Sequence, residues 1–220
     1  PDGPGSRLDL ACARFTHRRL KAIYDDIFLD FGRSLKPDLL AATWFHNYGP
    51  DNFGQLGNDE RSGLGADQWA RGEDYIWYCL GRQEPTEKDL GHLADHSLEC
   101  RYLRAAADGK RFIPNRYDER RLGLYAAESV AAGGAAIGWH WDTGSVHSQA
   151  ETDRYTAELG GLFLFVRDHD ACYRDVASYA DCALVFPRAS VLQGYTGFGR
   201  LLRRWARRLA DGHILFDVVI

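Results

Sequence analysis

Short apolar runs alternate with long amphipathic stretches along most of this chain, and this alternation limits the possible folds more than any other feature. Four runs have the length of buried strands: residues 39–45, 73–80, 110–118 and 135–141. The stretches beside them repeat apolar residues every three or four positions and are predicted helices: residues 8–34, 85–108 and 122–132. Strands and helices that alternate in this way predict an α/β protein with parallel strands and helices packed outside.

Local signals mark where these helices begin and end. Pro37 is expected to end the first helix, because the residue before a proline avoids the helical region. Thr86 is a suitable N-cap for the second helix and Gly109 its stop. Gly133–Gly134 closes the third helix, whose small residues let it approach a sheet closely. A short helix is also expected near residues 65–70.

The pattern restarts near residue 176, after a predicted helix at 151–174. A strand (DCALVF, 181–186), a helix (198–212) and a second strand (ILFDVVI, 214–220) form one βαβ unit, which is too small for a complete sheet. We therefore divide the chain into residues 1–175 and 176–220. The chain lacks methionine, opens on Pro1 and ends on an apolar run, so we expect it to be part of a longer protein.

Composition excludes several classes of protein. With 45% hydrophobic and 13% aromatic residues the chain can bury a core, and a net charge of −4 favours neither nucleic acid nor an acidic membrane surface as a partner. No apolar run is long enough to span a membrane, and the amino terminus does not resemble a signal peptide. Five cysteines without a CxxC pair indicate mostly buried, reduced thiols and a cytoplasmic protein, unless a signal peptide was removed.

The order of several segments resembles strands five to eight of the (β/α)8 barrel of beta-galactosidase-like glycoside hydrolases. These segments are FGRSLKPDLLAATWFHNYGP, DYIWYCLG, KRFIPNRYD, YAAESVAAGG and AAIGWHW. The segment FLFVRDHDACYRDVASYADCALVFPRAS and the final ILFDVVI resemble the entry into the Rossmann-like trimerisation domain of those enzymes. The resemblance implies the second half of a TIM barrel, a hydrolase acting on an oligo- or polysaccharide, and a homo-oligomer, with a trimer as one option.

Glycoside hydrolysis generally uses two carboxyl groups that flank the scissile bond. In the family that this chain resembles, the acid/base glutamate ends strand four, which would lie upstream of Pro1, and the nucleophile ends strand seven. The corresponding positions here, Asn115 to Asp118, contain no glutamate. Asp118 is the first candidate carboxylate, with an N-cap as its alternative role, and Asp142 and Glu84 are further candidates. The chain alone is expected to be inactive.

Aromatic and polar residues gather at the carboxyl ends of the predicted strands, where the sites of barrel enzymes lie. The candidate carbohydrate-binding residues are Trp44, His46, Asn47, Trp77, Trp139, His140 and Trp141. Indole rings can stack on the apolar faces of sugars, while histidine and asparagine can bind hydroxyl groups. Core packing is the alternative for each single tryptophan. We expect Trp44, Trp77, Asp118 and Trp141 to lie toward one rim.

Other signals favour ordinary structural roles. His92 and His96 have metal-ligand spacing but no third ligand, and the glycine-rich GYTGFG segment lacks the lysine of a phosphate loop, so no metal or cofactor is expected. Five arginines share the helix at 198–212 with a predicted buried face of Leu201, Leu202, Trp205 and Leu209. They are interpreted as a solvated or subunit-facing surface, not a nucleic-acid site. A non-catalytic carbohydrate-binding barrel and an assembly module remain the alternative functions.

Overall fold

The computed structural model describes residues 6–45, 65–79, 96–115, 122–135, 149–193, 195 and 197–220. The predicted first helix is confirmed as a continuous helical segment: helix α1 (Arg7–Tyr24), a π-helical turn (Asp25–Asp30) and helix α2 (Phe31–Leu35). The Ser6 hydroxyl caps it by accepting from the Asp9 backbone N–H at 3.2 Å. The helix ends at Leu35, and the backbone of the next residue, Lys36, is extended as expected before Pro37.

Three of the four predicted parallel strands lie side by side in chain order. They are β1 (Trp44–Phe45), β2 (Ile76–Cys79) and β3 (Phe112–Asn115), and both pairings are parallel. The strands are shorter than the runs that predicted them. The Ala135 backbone N–H donates to the Phe112 carbonyl at 2.8 Å, so the fourth predicted run starts beside β3. Residues 136–141 of that run lie outside the described residues.

Helices separate these strands, as the alternation predicts. They are α3 (Ala66–Ala70), α4 (Ser97–Ala107) and α5 (Leu122–Ala131). Helix α4 ends in two left-handed residues, Asp108 (φ 51°) and Gly109 (φ 78°), which agrees with the predicted stop at Gly109. The predicted N-cap Thr86 lies outside the described residues. The described architecture is therefore α/β, with short parallel strands and a large share of helix.

Gly134 allows helix α5 and the chain after it to approach β3 closely. A Cβ atom at this position would lie 2.5 Å from Cε2 of Phe112 and 2.6 Å from Oγ of Ser129. Both neighbours are fully buried, and the Ser129 hydroxyl donates to the Ala135 carbonyl at 2.7 Å. Gly134 is thus needed for the close packing of this segment on β3.

The predicted helix at 151–174 is two helices, α6 (Gln149–Asp168) and α7 (Asp170–Tyr173). They are separated at His169, whose backbone leaves the helical region (φ −115°, ψ 23°). The His169 ring stacks on Phe165 one turn earlier, with centroids 4.3 Å apart. Helix α6 packs on α5 through a small cluster of Ala126, Leu159 and Leu162.

The carboxyl-terminal βαβ unit is confirmed. Strands β4 (Cys182–Val185) and β5 (Phe216–Val219) pair in parallel, and helices α8 (Arg188–Leu192) and α9 (Phe198–Asp211) connect them. The prediction for the buried face of α9 was wrong at two positions, since Leu201 and Trp205 are about half exposed. Phe198, Leu202 and Ala206 form the buried face, because their four-residue spacing keeps them on one side.

The two halves of the chain share one hydrophobic core. The rings of Tyr102 in α4 and Phe186 after β4 lie 5.1 Å apart, and Phe216 of β5 belongs to the same buried cluster as Ile76 of β2. Ion pairs also cross between the halves, with Arg188 Nη1 2.6 Å from Asp67 Oδ2 and Arg203 Nη2 3.1 Å from Glu99 Oε1. The domain boundary near residue 176 therefore stays a prediction, and the hydrophobic core is continuous across it.

Two further findings concern the surface. Cys12 and Cys172 are exposed, so the expected burial of thiols does not hold for these two cysteines. Within the described ranges, none of the helices combines the length and the apolar character needed to cross a bilayer.

Candidate functional site

The carboxyl ends of β1, β2 and β3 lie along one edge of the sheet, because the three strands are parallel and adjacent. His46 and Asn47 directly follow β1, Glu84 follows β2 and Asp118 follows β3. In chain order, these candidates come after strand ends that lie on one edge of the sheet. Eight candidates themselves lie outside the described residues: His46, Asn47, Glu84, Asp118, Trp139, His140, Trp141 and Asp142.

The structure brings two of the predicted tryptophans together. Trp44 and Trp77 are register partners in the parallel pairing of β1 and β2. Register partners share a face of a sheet, and neighbouring strands are about 4.8 Å apart. Ile113 of β3 is the next residue in this row, so the face carries Trp44, Trp77 and Ile113 in sequence across the strands.

This row lies on the side of the sheet away from helix α4. Ile76 and Phe112, the register partners one residue earlier, belong to the other face, are fully buried and pack in one cluster with Leu103 of α4. Side chains of adjacent residues in a strand point to opposite faces. Trp77 is half-buried, and its indole nitrogen is enclosed by the surrounding chain.

At the opposite, amino edge of the sheet the structure shows a buried carboxylate that the sequence analysis missed. Glu73 precedes β2 and is only 2% exposed. Thr43, the residue before β1, donates its backbone N–H to Glu73 Oε2 at 3.1 Å and its hydroxyl to Oε1. The Tyr24 hydroxyl is a third hydrogen-bond partner. In the sequence, Glu73 stands in a polar turn (RGED) that gives no signal of burial.

Burial raises the pKa of Glu73 above its ordinary value, and the hydrogen bonds from Thr43 and Tyr24 oppose that rise. Burial also raises the pKa of the Tyr24 hydroxyl. Perturbed pKa values of this kind are common in active sites. Here the carboxyl group is enclosed at the amino ends of β1 and β2, and both groups of Thr43 that donate to it come from the residue that precedes β1. We therefore assign Glu73 the role of holding β1 in register with β2.

Asp74 extends this connection to the first helical segment. Its carboxylate accepts the Ala41 backbone N–H at 2.7 Å and the Arg33 guanidinium at 3.0 Å, while its own N–H donates to the Ala41 carbonyl at 2.9 Å. The Ala41 hydrogen bond is the main cause that lowers the pKa of Asp74. The amino edge is thus held by two adjacent carboxylates whose pKa values move in opposite directions.

The raised pKa of the buried Glu73 carboxyl group predicts that the stability of the protein depends on pH. Because the folded-state pKa of Glu73 is raised, its contribution is complete below the unfolded pKa and is lost as pH rises through the folded pKa. The free energy of unfolding of the wild type should fall over that range, and Glu73→Gln should remove this fall. Urea unfolding across about pH 4–8 measures how the free energy of unfolding changes with pH. A tenfold difference between the acid dissociation constants of Glu73 in the folded and unfolded states corresponds to about 1.4 kcal/mol.

Glu158→Gln on the exposed face of α6 is the matched control, and it should keep the wild-type pH profile. The contribution of Asp74 to stability depends on pH in the opposite direction. Because the folded-state pKa of Asp74 is lowered, this contribution is lost as pH falls through the folded pKa. Equal pH profiles for the wild type and Glu73→Gln would contradict the assignment.

A cleft of about 420 Å³ lies between α3, the end of α4 and the end of β5. Two of its charged side chains already serve structure. Lys110 donates to the carbonyls of Ala70 and Glu73 at 2.6 and 2.7 Å, and Asp67 pairs with Arg188. Among the described residues, no group of three potential ligands could hold a metal ion. His96 instead packs edge-on against the Tyr125 ring, with centroids 5.0 Å apart.

Comparison of the chain with models of protein families, with curated proteins and with solved structures finds no match. The resemblance to beta-galactosidase-like enzymes thus remains a hypothesis based on the order of segments. The arrangement of the sheet provides a separate basis for a function.

Proposed function

We propose that the carboxyl edge of the β1–β2–β3 sheet binds carbohydrate, and that the chain belongs to a glycoside hydrolase whose (β/α)8 barrel includes these strands in its second half. The observation that carries the proposal is the pairing of Trp44 with Trp77. Both residues belong to the face away from α4, and both strands end within two residues of this pair.

Two tryptophans on neighbouring strands suit a sugar chemically. The aromatic face is electron-rich and apolar, and the C–H groups of a pyranose ring pack against it. The two positions are register partners on strands that lie about 4.8 Å apart. His46 and Asn47 directly follow Trp44 and Phe45, and their side chains can donate and accept hydrogen bonds from sugar hydroxyl groups.

Hydrolysis at this edge would use two carboxyl groups. One protonates the departing glycosidic oxygen, and the other either attacks the anomeric carbon or removes a proton from the water that does so. Asp118 is the proposed second carboxylate because it is the first carboxylate after β3 in the sequence, and Asp142 and Glu84 are the other candidates. The acid/base group is proposed to lie in an upstream segment, so this chain alone binds sugar without turnover.

The test is the effect of Trp77→Ala on carbohydrate binding. Loss of one stacked indole should weaken the binding of an oligosaccharide by roughly tenfold, which corresponds to about 1.4 kcal/mol. Isothermal titration of the chain with a panel of β-linked and α-linked gluco-, galacto- and xylo-oligosaccharides measures this change. Trp205→Ala is the matched control, since Trp205 is exposed on α9 and lies outside the sheet.

Failure of the wild type to bind any sugar in the panel would refute the proposal, as would equal affinities for Trp77→Ala and the wild type. Binding that depends on Trp77, without turnover in a protein that contains the upstream segment, would instead favour the non-catalytic carbohydrate-binding barrel.

A further inference from the structure

An exposed apolar row runs along the whole first helical segment. Its members and their exposed fractions are Leu8 (62%), Phe15 (62%), Ile23 (38%), Ile27 (55%), Phe31 (61%) and Leu35 (72%). The other side of the same segment packs on the body of the protein through Ala13, His17 and Leu29, which are buried. One side of the segment is thus covered by the body of the protein, whereas the apolar row on the other side is exposed in the single chain.

The π-helical turn keeps this row straight. In an α-helix, a four-residue step rotates a position by about 40° around the axis, so Ile23, Ile27, Phe31 and Leu35 would drift off one face. The π-helical turn Asp25–Asp30 contains more residues per turn and takes up this drift. The apolar positions after the turn therefore continue the face that begins at Leu8 and Phe15.

The size of the row is that of an interface. A phenylalanine buries about 150–250 Å² when it is fully enclosed. The row contains two phenylalanines that expose just over 60% of their surface, together with four aliphatic side chains. Its apolar area is several hundred Å², at the upper end for a monomer surface and of the order of the ~800 Å² per partner in a standard interface.

Some exposed apolar or small positions are arranged symmetrically about Lys21 and Ala22. In four pairs whose numbers add to 43, both residues are exposed and apolar or small: Leu8 with Leu35, Cys12 with Phe31, Phe15 with Phe28, and Leu20 with Ile23. Of these residues, Cys12, Leu20 and Phe28 are not members of the row itself. Two copies of the segment in antiparallel orientation, with this point on a two-fold axis, would bring each of these pairs together. An isologous contact of this kind is self-complementary by construction.

The charged residues beside the row also favour the antiparallel orientation. The exposed Arg14 and Arg18 lie in the first half of the segment, and the exposed Asp26 and Asp30 lie in the second half on the same flank. A two-fold axis perpendicular to the helices places equal flanks side by side and reverses their direction. Arg18 of one copy then lies opposite Asp26 of the other, and Arg14 opposite Asp30, whereas a parallel pair would place like charges together.

We propose that this face is an interface between two copies of the chain, packed antiparallel about a two-fold axis near Ala22. The contact buries the apolar row of each copy, from Leu8 to Leu35. The carboxyl edge of the sheet is not part of this interface. It is independent of the proposed carbohydrate site.

Sedimentation equilibrium of the chain over about 1–100 µM tests the proposal. The wild type should form a dimer, and Phe31→Glu should raise the dimer dissociation constant by at least 100-fold, because a carboxylate would be buried in the apolar contact. Leu164→Glu is the matched control, since Leu164 is about half exposed on α6, and it should leave the dimer unchanged. Circular dichroism verifies that both variants fold, as substitution at exposed positions permits.

Two further variants test the orientation. In a Cys172→Ser background, Phe31→Cys should form an intermolecular disulfide with the exposed native Cys12, whereas Leu164→Cys should not. Arg18→Asp should weaken the dimer, and the double variant Arg18→Asp/Asp26→Arg should restore it. A monomeric wild type at 100 µM, or a dimer that survives Phe31→Glu, would overturn the interface. A dimer without the Cys12 cross-link or the charge rescue would overturn the antiparallel arrangement.

Discussion

Phe216→Ala is expected to lower the free energy of unfolding by about 3–5 kcal/mol, a large part of the ~5–15 kcal/mol that holds a typical domain folded. Phe216 is 1% exposed and belongs to the core cluster that joins β5 to α4 and β2. The Arg101 guanidinium lies over its ring, 4.6 Å from the centroid, and would lose this contact as well. The cavity would form at the point where the two halves of the chain meet.

Urea denaturation measures this loss, and Val219→Ala is the matched control. Val219 lies in the same strand but is half exposed, so its truncation should cost well under half as much. Hydrogen exchange tests the shared core directly. Amides of α4 should lose protection together with those of β5, since one cooperative unit contains both. Protection of α4 that is unchanged in Phe216→Ala would show that residues 176–220 unfold separately.

Under the proposed glycosidase function, Asp118→Asn is expected to lower kcat by roughly 10²- to 10⁴-fold in a protein that also supplies an acid/base group, with little change in carbohydrate affinity. Asparagine keeps the size of aspartate but cannot act as a nucleophile or a general base. The effect should fall on kcat because such a group acts mainly in the transition state. Steady-state kinetics on aryl glycosides, with binding measured separately, distinguish these two quantities.

Asp142→Asn and Glu84→Gln are the parallel variants, and Asp211→Asn at the exposed end of α9 is the control. If Asp118 only caps the following helix, asparagine should be nearly neutral, since it caps about as well as aspartate. Asp118→Ala should then lower the free energy of unfolding by about 1 kcal/mol and leave kcat unchanged. Unchanged kcat in Asp118→Asn would remove it from the mechanism and leave Asp142 and Glu84 as candidates.

Much of the architecture follows from local pattern. The first helical segment, the three parallel strands of the first sheet and the final βαβ unit lie where the apolar periodicity predicts them. The stops at Pro37 and Gly109 also follow from single residues with restricted or unrestricted backbones. These features depend on neighbours within a few positions, so they can be read from the chain directly.

One part of the candidate site could be predicted from the sequence, and another part required the structure. Parallel order places the ends of β1, β2 and β3 on one edge, and the predicted residues follow those ends in the sequence. The pairing of Trp44 with Trp77 required the register of two strands that are 33 positions apart, as the numbering of the pair shows. No local signal contains that register, because it depends on hydrogen bonds between strands.

By itself, the sequence determined the type and the approximate limits of most helices and strands, because periodicity and backbone restrictions act over a few residues. Only the tertiary structure decided which sides of those elements are covered. It buried Glu73 beneath Thr43, exposed Trp205 and Leu201 on α9, and joined Phe216 to the core around Ile76. Burial depends on contacts between residues that are distant in the chain, so a local pattern can show that a face is apolar but not what covers it.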